Sequence, residues 1–317
     1  MEVHVGPGDI KAGLREDVRN GLGERPRQLP PRWFYDERGC ELFDAITRLP
    51  EYYPTRAERE ILAARAADVA RLSGADTLIE LGSGTSEKTR LLLDAMAATG
   101  QLYRIVAFDV AESTIEQATT ALAGDYPEAE VVGVVGDFHL HLDLLPSPGR
   151  RLVAFLGSTI GNLEPLLRKD FLAELVDGMK PGDSLLLGTD LVKTEPRLQA
   201  AYDDAAGVTA KFNANVLAVV NRELGADFDL DQFEHVARWD PDNSWMEMSL
   251  RSRRPQTVTI PGADLSFQLL AGEHIYTEIS TKFTQAVVAA ELAAAGLTLA
   301  HWWTDQANDF AVSLSHL

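Results

Sequence analysis

Two glycines and three acids carry the first chemistry this chain offers. The run Glu80-Leu81-Gly82-Ser83-Gly84-Thr85 follows an apolar stretch, Thr77-Leu78-Ile79, and opens an amphipathic one, Lys88 to Met96. That order predicts a strand, a glycine turn and a helix start, a geometry in which backbone N–H groups approach a ligand closely. Asp109 ends the next apolar run, Ile105-Val106-Ala107-Phe108. An acid about 20 or more residues beyond such a turn is where a ribose hydroxyl pair is held in folds of this kind. A third acid stands in Val135-Gly136-Asp137-Phe138. Its carboxylate suits the exocyclic amine of an adenine, and the neighbouring backbone N–H suits a ring nitrogen. Together they imply a ligand that carries a nucleoside.

The turn lacks the dinucleotide fingerprint Gly-x-Gly-x-x-Gly, because the third glycine position holds Glu87. A carboxylate there sits badly against a pyrophosphate, and a further acid, Glu80, directly precedes the turn. A positively charged sulfonium suits this acidic setting better than two phosphates do. The pattern acid-x-Gly-x-Gly resembles the first motif of Rossmann-like S-adenosylmethionine (SAM) methyltransferases. A nicotinamide oxidoreductase is disfavoured by the missing glycine.

The elements that must position these residues follow a regular order. Strand patterns at 76–81, 103–109, 130–135, 152–157 and 184–189 alternate with helix patterns at 86–98, 112–124 and 164–179. This predicts a parallel, doubly wound α/β sheet. A helix from Thr284 to Ala295 and a hairpin of 297–303 with 309–315 are expected to complete seven strands. Residues 192–283 break the alternation and read as an inserted α+β subdomain, too long for a loop. The Pro- and Arg-rich residues 1–60 lie outside the βα pattern. The expected division is therefore a nucleoside-binding domain of 61–191 and 284–317, with 1–60 and 192–283 as a substrate-binding subdomain. That subdomain is expected to act as a lid at the carboxyl ends of the strands, where α/β sheets bind ligands.

Composition narrows the partners. A formal net charge of -19 over 317 residues repels nucleic acid and anionic membranes, which argues for a small-molecule substrate. The single cysteine, Cys40, excludes an internal disulfide and fits a reducing, cytoplasmic setting. No run reaches the roughly 18 apolar residues of a membrane span, and Met1 to Ile10 shows no signal-peptide pattern. His139-x-His141 stands beside Asp137 and Asp143. The piece reads as helical, where positions two apart face apart, so no metal is expected. Nothing in the sequence signals association, and a monomer is expected.

Longer motifs say more than the turn. Pro31-Arg32-Trp33-Phe34-Tyr35-Asp36, Leu49-Pro50-Glu51-Tyr52-Tyr53-Pro54-Thr55-Arg56, the glycine turn through Thr89, Phe155-Leu156-Gly157-Ser158-Thr159-Ile160-Gly161-Asn162 and Tyr202-Asp203-Asp204 occur in that order. In these the chain resembles the SAM-dependent histidine Nα-methyltransferases of ergothioneine biosynthesis, from about residue 15 to its end. The resemblance implies a Rossmann-like methyltransferase fold and three methyl transfers to the α-amine of L-histidine, giving trimethylhistidine (hercynine). It implies a SAM site of Gly82, Lys88, Asp109, Asp137 and Phe138. It implies a substrate site of Tyr52, Asn162, Tyr202, Glu278 and Ser280.

These residue types can do that work. Methyl transfer from a sulfonium needs alignment rather than a covalent intermediate. A free α-amine titrates near ~8, so an oriented acceptor such as the Asn162 amide suffices in place of a strong base. Without the resemblance, Gly161-Asn162 reads first as a turn. Glu278 and Ser280 share one face of a strand and fit the two nitrogens of an imidazole; an exposed strand face fits them equally. Tyr52 and Tyr202 can donate to the substrate carboxylate, or pack as amphipathic residues. Lys88 can pair with the methionine carboxylate of SAM, or lie solvated on its helix. Met248 walls an imidazole pocket or fills core. The competing functions are an Nα-methyltransferase of another aromatic amino acid and a non-catalytic SAM-binding protein.

Overall fold

The computed structural model of the chain describes residues 2–4, 6–84, 86, 88–137, 141–145 and 148–317. Two units emerge, residues 1–5, 54–192 and 282–317 in the first, 6–53 and 193–281 in the second.

The first unit is built on an eight-stranded sheet. Its order is Glu2–Val3, Glu130–Val135, Arg104–Asp109, Thr77–Leu81, Arg151–Phe155, Ser184–Asp190, Phe310–His316 and Thr298–Thr304. The first six strands run parallel, and the final hairpin joins antiparallel. The seven expected strands are all there; the eighth is Glu2–Val3, which pairs with Val134–Val135. Two residues carry no periodicity, so no pattern announces them. Thr77–Leu81 is buried along its whole length. It sends Leu78 into a layer with the helices Pro54–Ser73 and Arg90–Ala98. Ile79 and Leu81 enter the opposite layer, with Pro165–Asp177 and Gln285–Ala294. This is the period of two of a strand covered on both faces. Truncating such a side chain to alanine costs about 2–5 kcal/mol. The parallel strands thus bring the loops after Leu81, Asp109, Val135 and Phe155 to one end of the sheet.

Several boundaries differ from the sequence reading, among them residues 1–5, which join the first unit. The helix after the glycine turn begins at Arg90 rather than at 86, because Gly84 and Ser86 take φ of 49° and 54°, outside the helical region. The helix Pro54–Ser73 belongs to the first unit, which moves the expected border from 60 to 53. A proline is well placed to open a helix, and Ala57, Ile61, Leu62, Ala66 and Val69 then line the sheet layer. The first unit resumes at Lys282 rather than 284. Buried Lys282 pairs with buried Asp190 at 2.9 Å, and Phe283 donates its N–H to the Asp190 carbonyl at 2.8 Å.

The second unit has a four-stranded sheet, ordered Arg27–Gln28, His274–Thr281, Trp245–Ser252 and Phe233–Asp240, and a hairpin of Gln256–Ile260 with Leu265–Leu269. Leu265–Leu269 was not visible as a strand in the sequence. The helices Pro7–Gly23, Glu37–Thr47 and Val208–Leu224 meet over one core that includes Leu14, Val18, Leu42, Phe212, Val216 and Val220. Asp204 starts the last of these helices by accepting from the N–H groups of Val208 and Thr209 at 3.0 and 2.7 Å. Burial pushes the Asp204 carboxyl up, but those donors prevail and hold it below the ordinary aspartate range. No described helix is long and apolar enough to cross a membrane.

Candidate active site

In the first unit the glycine turn and the acid after the next strand touch. Gly82 and Ser83 donate their N–H groups to the Phe108 carbonyl at 2.9 and 3.1 Å. Gly84 N–H donates to Asp109 Oδ2 at 3.0 Å, and Ala111 N–H to Oδ1 at 3.1 Å. Desolvation raises the Asp109 carboxyl above the aspartate range against these donors. Gly82 and Gly84 have φ of 67° and 49°, and a Cβ on either would meet nothing within 4 Å among the described residues. Conformation, not crowding, demands glycine here. The buried Ser83 hydroxyl has no hydrogen-bond partner among the described residues. A turn with open space above it and an unused hydroxyl fits a polar ligand such as SAM.

Behind the turn, Glu80 accepts from the Ser86 hydroxyl at 2.9 Å and from the Thr89 hydroxyl. Burial pushes its carboxyl up to about 7, against those hydroxyls and Lys88. Lys88 is ion-paired with Glu58, a fully buried residue of the helix Pro54–Ser73. It is therefore not the freely solvated helix lysine that one reading of the sequence allowed. Asp137 is buried in the loop after Glu130–Val135, and the His141 Nδ1 lies 3.1 Å from both its backbone N and O. Phe138 and His139 lie outside the described residues. Among the described residues no group of three His, Cys, Asp or Glu could hold a metal ion. Asn162, half-buried, ends the single turn Thr159–Asn162 that follows the strand Arg151–Phe155.

In the second unit the remaining candidates gather around the end of the helix Glu195–Tyr202. The Tyr202 hydroxyl lies 2.7 Å from Ser280 Oγ. Glu278 is paired across the sheet with Met248, and Ser280 with Met246, so the four residues share a face. Glu278 is half-buried, whereas Met248 is 2% exposed and packs with Tyr53, Leu198, Ala201, Tyr202 and Met246. A register shift between Tyr276 and Glu278 precedes this face. Alternation along the strand would send Ile279 to the opposite face, into the core; it is only half-buried. Tyr52 is partly buried against the same small cluster and meets the edge of Phe43 at 6.3 Å. No local pattern marks His235, whose Nε2 lies 2.8 Å from the Tyr202 carbonyl while Asn213 holds its Nδ1 at 2.8 Å.

A family model described as histidine-specific, SAM-dependent methyltransferase matches residues 14–317. The chain belongs to that family. It is 59% identical over 302 residues to a histidine N-alpha-methyltransferase of Mycolicibacterium smegmatis, covering 95% of this chain and 94% of that one. It is 57% identical over 312 residues to the protein of the same name in Mycobacterium tuberculosis, covering 98% and 97%. Ergothioneine biosynthesis protein 1 of Schizosaccharomyces pombe is 33% identical over 267 residues, 80% of this chain and 34% of that protein. The resemblance carried by the sequence motifs, and the SAM-binding α/β fold it implied, hold. Glu58 falls outside the nucleoside-binding domain that the sequence predicts, whose border is expected at residue 60. Its signal was present: Glu58 stands three and four residues before Ile61 and Leu62, on the apolar stripe of its helix.

Proposed function

We propose that the chain transfers three methyl groups in succession from SAM to the α-amine of L-histidine, giving trimethylhistidine (hercynine) for ergothioneine biosynthesis. The observation that carries this reading is the histidine-specific family match across residues 14–317. In each step the amine lone pair attacks the methyl carbon, the C–S bond breaks with its electrons going to sulfur, and S-adenosylhomocysteine leaves. A proton is lost to solvent in the first two steps. The third makes a quaternary nitrogen from a neutral tertiary amine and releases none.

Asp109 takes the ribose hydroxyls of SAM, Asp137 and the Phe138 N–H take the adenine, Gly82 lets the backbone come close, and Lys88 meets the methionine carboxylate. Tyr52 and Tyr202 donate to the histidine carboxylate. Glu278 accepts from one imidazole N–H, and Ser280 serves the other nitrogen beside Met248. Asn162 accepts from the amine and turns its lone pair toward the methyl group. The turn at Gly82 and Gly84, open among the described residues, the Ser83 hydroxyl with no partner among them, and the Tyr202–Ser280 contact support these roles. The same reading has the chain work without a metal, as a cytoplasmic monomer away from nucleic acid and membrane, in keeping with its charge of -19 and single cysteine.

Mass spectrometry of L-histidine incubated with SAM and the protein tests the reaction: mono-, di- and trimethylhistidine should appear in turn. SAM bound with histidine unmodified would mean a binding protein. Methylation of tyrosine or tryptophan alone would move the substrate to another aromatic amino acid.

A further inference from the structure

The apolar stripe that the helix Pro54–Ser73 turns to the sheet contains one carboxylate, Glu58, with none of its surface exposed. A charge so placed is tolerated only when it is paired and hydrogen-bonded. Glu58 Oε1 accepts the Gly157 N–H at 2.7 Å, and Oε2 pairs with Lys88 Nζ. The neighbouring strand makes room for it: a Cβ at Gly188 would stand 2.2 Å from Glu58 Oε1. Gly157 and Ser158 take φ of 75° and 60° and lead directly into the turn that ends at Asn162. Ser158 Oγ accepts the Asp190 N–H at 2.9 Å, tying that turn to the next strand.

One carboxylate therefore joins the lysine after the glycine turn to the first residue of the Asn162 loop. A neutral amide cannot replace it. The oxygen of a glutamine could still accept from Gly157, but its NH₂ would then face the lysine ammonium, donor against donor. We propose that Glu58 is a positioning residue for methyl transfer. It holds Lys88 where the methionine carboxylate of SAM is received, and it sets the loop that presents Asn162. This rests on the roles of Lys88 and Asn162 given under the proposed function.

The test uses the full chain with Glu58→Gln, Lys88→Met and both together. S-adenosylhomocysteine affinity is read by calorimetry, and the first methyl transfer by single turnover with SAM and histidine saturating. Glu58→Gln should lose about tenfold in affinity and about tenfold in the single-turnover rate, the scale of one charged hydrogen bond. Lys88→Met should lose affinity by a similar factor, and the double substitution no more than that. Wild-type affinity and rate in Glu58→Gln, whatever its melting temperature, would overturn the proposal and leave a structural ion pair. If Lys88→Met leaves affinity unchanged, the reading of Lys88 itself is wrong. The single-turnover rate of Glu58→Gln then decides the Asn162 half alone. Should Glu58→Gln not fold, Glu58→Asp, which keeps the charge and withdraws it by one methylene, is judged by the same two outcomes.

Discussion

Asp109 is gripped by the N–H groups of Gly84 and Ala111, Lys88 by Glu58, and Glu80 by the hydroxyls of Ser86 and Thr89. In the second unit the corresponding contact joins two neutral hydroxyls, Tyr202 and Ser280, above a bed of methionine. The first unit carries a frame of carboxylates, each hydrogen-bonded within the fold, which suits a ligand of invariant shape. The second offers hydroxyls that turn to suit their partner. The buried carboxylate behind the glycine turn should therefore register in stability and pH response, whereas the sheet face of Glu278 and Ser280 should register in affinity for the amino acid.

Glu80 gives the largest expected effect. Its folded carboxyl titrates at about 7, raised by burial from 4.5. A raised acid contributes stability that is fully present below its unfolded value and is lost as pH rises through the folded one. The wild-type chain should match Glu80→Gln near pH 4.5 and fall below it by on the order of 3 kcal/mol above pH 7, as read by denaturant unfolding of the ligand-free protein at several pH values. A constant difference across that range would mean that the frame behind the glycine turn is not under this strain.

Asn162→Ala comes next. Loss of alignment at the reacting amine should slow the first transfer roughly a hundredfold, measured by single turnover. The third transfer should suffer less, because the neutral tertiary amine has no N–H for Asn162 to accept. Equal slowing of all three steps would point to a general disturbance of the loop. The smallest effect is assigned to Asp204→Ala, which removes the acceptor at the start of the helix Val208–Leu224. It should cost about 1 kcal/mol of stability. Because the Asp204 carboxyl is held low by its N–H donors, that contribution is present above the unfolded aspartate value and is lost as pH falls through the folded one. Chemical denaturation at neutral and acid pH checks both statements.

What the sequence disclosed follows from what kind of signal each feature leaves. The glycine turn was legible because Gly82 and Gly84 punctuate a strand and a helix, and Asp109 falls at the end of the next strand. The parallel sheet was legible because its buried strands read as apolar runs. The strand Glu2–Val3 was not, since its pairing with Val134 and Val135 is a long-range fact about backbone. Glu58 sat in plain view on an apolar stripe but was assigned to the lid, and Pro54, which opens its helix, was the better boundary mark. His235 meets the carbonyl of Tyr202, a contact between residues 33 apart that no local pattern encodes.

The division of labour between the units is tested most directly by titrating Glu278→Ala with both ligands. L-histidine should bind more weakly by about 2 kcal/mol, roughly thirtyfold, while S-adenosylhomocysteine binds as it does to the unaltered chain. Undiminished histidine binding, or an equal loss for both ligands, would contradict the account.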